Sequence, residues 1–117
     1  MSFYERQSAN LPESARLFFL IQIRDTQSFI SLAKTANVEL IGLKNQHGQT
    51  LMHVCAVMGN LEIAEYLVQI GCLGTERDVG TNLTQQQGHT AMQIAKKYQN
   101  YKVADIIQKK LLRLNQH

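Results

Sequence analysis

Apolar residues recur at helical spacing along most of this chain, in pairs of short segments separated by turn-forming residues. Ile63, Ala64, Tyr66, Leu67 and Ile70 line one face of a 3.6-residue helix over 62–70. Gly71 follows, suited to a left-handed C-terminal cap. Upstream, 51–58 is a second apolar helix, broken by Gly59-Asn60, two residues that tolerate turn conformations. The same pairing is predicted on either side. Helices over 13–23 and 27–36 flank Arg24-Asp25-Thr26, and helices over 91–98 and 102–114 flank Gln99-Asn100. No stretch sustains the alternation of a strand. Helices this short are marginal alone in water, so each pair must bury its apolar face on the next. The expectation is an all-α stack of helix-turn-helix pairs.

The pairs repeat in sequence. Shifted by 40 residues, Gly48 falls on Gly88, Thr50 on Thr90, Met52 on Met92, Asn60 on Asn100 and Ala64 on Ala104. Shifted the other way by 34, Leu17 falls on Leu51, Leu20 on Val54, Phe29 on Ile63 and Ala33 on Leu67. The chain divides into an N-terminal tail, 1–12, and one domain, 13–117, with units near 13–46, 47–86 and 87–117.

The middle unit resembles an ankyrin repeat. That pattern runs G-x-T-P-L-H-x-A-A, then Gly-His, E-I-V-x-x-L-L and Gly-Ala. Gly48, Thr50, Met52, His53, Cys55, Ala56, Gly59, Asn60, Glu62, Ile63, Ala64, Leu67, Gly71 and Cys72 stand at matching positions. Unit three matches at Gly88, Thr90, Met92, Ala95, Asn100, Val103, Ala104 and Ile107, and unit one matches least. Leu51 and Ala91 replace the usual Pro, Gln93 replaces the His, and Lys96 replaces a small buried Ala. A lysine there suits only a terminal unit that faces water. The step of 40 between units two and three exceeds the ankyrin period of about 33 residues. The extra residues fall in the segment 72–87, so one elongated inter-repeat finger loop is expected. Loops this long are usually functional or mobile.

The resemblance implies an ankyrin-repeat solenoid that acts as a non-enzymatic protein–protein interaction module. It would be an adaptor or inhibitor binding one intracellular protein through its concave face and finger loops. A bacterial or viral effector mimicking a host protein fits the same pattern. The exposed first-helix positions that the family uses correspond here to Ile23, Arg24, Val57, Met58, Lys97 and Tyr98. They are expected in two rows, Ile23–Val57–Lys97 and Arg24–Met58–Tyr98. Finger residues Gln46, His47, Gln49, Gln86, Gln87 and His89 would form the polar edge. Apolar side chains rimmed by charge mark protein interfaces. A homodimer is a second occupant of the same patch, and closure by the tail or the long finger a third.

Composition narrows the classes. At 44% hydrophobic and 18% charged residues, the chain can bury a core and falls outside the disordered range. The apolar run Leu17-Phe18-Phe19-Leu20-Ile21 is far shorter than a membrane span requires. The N-terminal segment lacks the apolar stretch of a signal peptide, so a cytoplasmic location is expected, in the host cytoplasm for an effector. The net charge is +3, with six cations and one carboxylate in residues 96–117. That basic C-terminal helix supports an alternative, binding of an acidic partner or nucleic acid. Nucleic acid is the weaker case, because few cations give only weak, salt-sensitive affinity.

Two residues invite a catalytic reading. His53 and Cys55 are two apart, with Thr50 three before the histidine. On one helix, neighbours two apart point away from each other, so they cannot share a proton. The ankyrin resemblance makes Thr50 and His53 a hydrogen-bonded pair that ties one unit to the next, and Cys55 a packed small residue. No CxxC or HxxxH pair offers a zinc site. No enzymatic activity, cofactor or metal is therefore expected.

Overall fold

The structure is a computed structural model that describes residues 11–75 and 88–115. Among these residues there are six helices: α1 (Glu13–Gln22), α2 (Thr26–Thr35), α3 (Leu51–Met58), α4 (Leu61–Ile70), α5 (Ala91–Lys97) and α6 (Tyr101–Leu114). No strand occurs among the described residues. The helices form three hairpins, α1–α2, α3–α4 and α5–α6. The first helices pack in the order α1–α3–α5 and the second helices in the order α2–α4–α6. This is the all-α repeat stack that the periodicity predicts.

The core lies between the two layers. Leu17, Ile21, Phe29, Leu51, Met52, Ile63, Leu67 and Ile107 are almost completely removed from water. Each such side chain contributes roughly 1.5–3 kcal/mol by burial. Helix α3 stands between α1 and α5, and its residues Leu51 to Ala56 are consecutively buried. At the C-terminal end the stack is capped by polar substitution. Lys96 is exposed where Ala56 is buried, as the sequence predicts.

Each hairpin turns through one left-handed residue: Arg24, Gly59 and Gln99. Arg24, not Asp25, is thus the counterpart of Gly59, so unit one is offset by one residue at the turn from the register expected. The following residue caps the second helix in units one and two. Asp25 accepts the Ser28 N–H, and Asn60 Oδ1 accepts the Ile63 N–H at 3.0 Å. Asn100 departs from this pattern. Its amide donates to the Ala56 and Val57 carbonyls at 2.7 and 3.3 Å, binding unit three to the carbonyl end of α3. Asn60 performs the equivalent tie to unit one through Thr26 Oγ1 at 2.8 Å. A side chain at Gly59 would meet Asn100 Oδ1 at 2.6 Å, so both the left-handed backbone and the cross-unit bond require glycine there.

The finger between units one and two is organised by Asn45. Its Oδ1 accepts the backbone N–H groups of His47 and Gln49, and its amide donates to Gln49 Oε1. The longer finger begins at Gly74, whose carbonyl accepts the Ala91 N–H at 2.8 Å. Residues 76–87, including the expected finger residues Gln86 and Gln87, lie outside the described residues.

Candidate partner-binding surfaces

His53 is fully buried at the start of α3. Its Nδ1 accepts the Thr50 backbone N–H at 3.2 Å and lies 2.7 Å from Thr50 Oγ1. The His53 N–H donates back to Thr50 Oγ1, completing a capping box. With Nδ1 accepting a backbone N–H, the ring proton belongs on Nε2, which donates to the His89 carbonyl at 2.9 Å. Both ring nitrogens are therefore spent on structure, and the second bond joins unit two to unit three. Cys55 is bonded elsewhere: its Sγ donates to the Asn60 carbonyl at 3.1 Å. Burial disfavours the thiolate and pushes its pKa up to about 12. A buried, protonated thiol and a fully engaged imidazole supply neither nucleophile nor base.

The expected binding residues separate into groups. Gln46 and His47 are exposed at the tip of the first finger, and Gln49 is half-buried beneath them. His89 is half-buried at the base of the second finger, where its carbonyl serves His53. Gln87 falls outside the described residues. Arg24, Lys97 and Tyr98 are exposed. Ile23, Val57 and Met58 are not the exposed row expected. They are half-buried and pack against the core, because adjacent first helices cover one another along the stack. Their alignment also differs. Ile23, Met58 and Tyr98 each precede the left-handed turn residue of their unit, so these three correspond, and Arg24 belongs to the turn.

A groove that sequence reasoning missed lies in the angle between α1 and the first finger. It has a volume of about 400 Å³, with Leu11, Ala15, Phe18 and Phe19 on the helix side and Gln46 and His47 on the finger side. The signal was present in the run Leu17 to Ile21. Five consecutive apolar residues exceed what one helix face can bury. Leu17, Phe18, Leu20 and Ile21 enter the core, and Phe19 is left half-exposed in the groove.

A second concavity, of about 390 Å³, lies at the hairpin turns of units two and three. Gly59, Leu61, Gln99, Asn100, Tyr101 and Val103 surround it, with Lys102 at its edge. Tyr98 and Tyr101 are 52% and 62% exposed, and Lys96, Lys97 and Lys102 are exposed around them.

Comparison with known proteins agrees with this architecture. A family model for ankyrin repeats, in three copies, matches residues 17–116. No curated protein matches the chain. Ankyrin repeats are generally protein–protein interaction modules, and no helix among the described residues is long and apolar enough to cross a membrane. With the helical hairpins, the Thr50–His53 box, the left-handed turns and the match over all three units in hand, the chain belongs to the ankyrin-repeat family.

Proposed function

We propose that the protein is a non-enzymatic adaptor or inhibitor that holds one intracellular protein between α1 and the first finger. The groove of about 400 Å³ is the observation that carries this reading. It pairs aromatic and aliphatic surface on a packed helix with polar side chains on a turn held by three Asn45 side-chain bonds. A rigid apolar floor with a polar rim loses little order on binding, which favours affinity. Phe19 is the anchor, and Gln46 and His47 set the orientation of the bound segment. Gln49 and His89 extend the surface along the finger side of the stack, whereas Lys97 and Tyr98 lie at the opposite, turn end of the first helices. Ile23, Arg24, Val57 and Met58 act at its far edge, the apolar ones mainly by supporting the first-helix layer.

The protein acts in the cytoplasm, or in a host cytoplasm if it serves as an effector. A second copy of the chain is the rival occupant of the groove. Affinity capture tests the reading, with wild type beside Phe19→Ser with His47→Asp, and with Lys34→Glu as a control on the exposed side of α2. Circular dichroism must first show equal helix content. A protein retained by wild type and by the control but lost by the groove variant supports the proposal. Equal retention by all three overturns it, and recovery of the chain itself assigns the groove to a homodimer.

A further inference from the structure

The opposite end of the first helices carries a different chemistry. Fingers enter the first helices at their N-termini, and the hairpin turns leave from their C-termini. The turn of unit three reads Lys96-Lys97-Tyr98-Gln99-Asn100-Tyr101-Lys102, three cations and no carboxylate. Lys96, Lys97 and Lys102 are exposed and make no ion pair among the described residues. The basic helix α6 is less available further along. Lys109 is paired with Asp105 at 3.0 Å, and Lys110 is half-buried. Three exposed lysines thus cluster within seven residues at the turn, while Arg113 is exposed separately near the far end of α6.

Apolar surface occurs at the same place. Tyr101 and Tyr98 are exposed large hydrophobic side chains. Tyr101 lines the concavity of about 390 Å³ together with the half-buried Leu61, and the buried Val103 lies behind them. The turn is held in place: the Asn100 amide is bonded to the Ala56 and Val57 carbonyls, and the Asn100 N–H to the Ala95 carbonyl at 2.7 Å. Tyr101 and Lys102 therefore line a cavity on a fixed turn, and the exposed Tyr98, Lys97 and Lys96 directly precede that turn in sequence.

We infer that this turn is a second docking site, for an acidic protein segment that carries an aliphatic or aromatic side chain between its carboxylates. The side chain enters the cavity against Leu61 and Tyr101. The flanking carboxylates meet Lys97 and Lys102, and Tyr98 covers the segment's backbone. Charge complementarity selects the acidic partner and speeds its arrival. The desolvated apolar contact holds it, and tyrosine supplies contact area at low entropy cost. Nucleic acid fits less well. Three lysines neutralise few phosphates, and lysine lacks the bidentate fork of arginine. A concave apolar pocket also answers to a side chain rather than to a phosphate track. This site is independent of the finger groove and stands if that reading fails.

The test is fluorescence anisotropy on the full chain, with three labelled probes of equal length. The first is a set of Glu/Asp peptides with Leu, Ile or Phe at the central position. The second replaces that residue by Ser, and the third is oligothymidine. Lys97→Glu with Lys102→Glu tests charge, and Tyr101→Ala tests the cavity. Both alter exposed side chains, and Lys34→Glu is the control. The expected result is saturable binding of the apolar-centred acidic peptides, weakened at least about tenfold by either variant and by the Ser probe, and unchanged in the control. Absence of binding to wild type overturns the inference. So does equal binding of the Ser probe, which reduces the surface to unspecific charge. Tighter binding of oligothymidine, lost in the same lysine variant, would assign the surface to nucleic acid instead.

Discussion

Thr50–His53 and Thr90–Gln93 form the same local capping box, yet only the first reaches another unit. Gln93 Oε1 accepts the Thr90 N–H at 2.9 Å and is exposed. His53 accepts the Thr50 N–H and also donates to the His89 carbonyl. His53→Gln should therefore keep the helix start and lose the cross-unit bond. The expected loss is roughly 0.5–1.5 kcal/mol of stability, the net contribution of one part-buried hydrogen bond. Urea denaturation measures it, and an unchanged midpoint would mean that the His89 bond carries no weight. Cys55 makes a second residue-scale prediction. Its thiol ionises near 9.0 when unfolded and near 12 when folded. Below the lower value both states keep the proton and pH has no effect through this group. Between the two values only the unfolded chain releases it, so stability falls as pH rises. The loss attributable to Cys55 is on the order of 4 kcal/mol at most. Cys55→Ala, which copies Ala95 of unit three, should flatten the decline of stability in that alkaline window. A decline equally steep in the variant would place its origin elsewhere.

The helices were legible in the sequence because each signal has a local cause. Apolar spacing set the faces, Thr50 and Thr90 started α3 and α5 with side-chain bonds, and Gly71 closed α4 in the left-handed region. The turns were less legible. Gly59 announces a left-handed residue, whereas Arg24 and Gln99 take the same conformation with φ of 63° and no sequence signal. Without that signal the sequence register of unit one is off by one position, and Arg24 reads as a helix-face residue. A left-handed conformation costs a non-glycine residue roughly 1–2 kcal/mol, partly offset by the extra unfolded-state entropy of glycine, about 0.5–1 kcal/mol. Gln99→Gly should accordingly raise stability by up to about 1 kcal/mol, read as a higher midpoint of thermal unfolding. A lower midpoint would show that the Gln99 side chain contributes more than its backbone strain removes. The exposed rows failed for a different reason. A helical wheel says which side of α3 leaves the core, but not how far α1 and α5 cover that side. Val57 and Met58 are half-buried by the stack itself.

At the scale of the whole molecule, three hairpins give one middle unit with neighbours on both sides and two end units with one each. Burial follows that order: α3 hides six consecutive residues, whereas α5 exposes Gln93, Lys96 and Lys97. Two concave surfaces among the described residues lie at the two ends of the first helices. The finger end offers a groove with apolar side chains of α1 and a polar rim that includes Lys44, and the turn end of unit three offers tyrosine and lysine. The lysines were legible as a basic C-terminus. The groove was not, because it depends on the angle between α1 and a finger more than twenty residues away in sequence. The proposed partner protein sits in that groove. Hydrogen–deuterium exchange of the free protein and of its complex with the captured partner tests it most directly. Slower exchange on binding in α1 and in residues 44–49, with little change in α2, is the expected result. Protection confined to other segments, with α1 and the first finger exchanging as in the free protein, would contradict it.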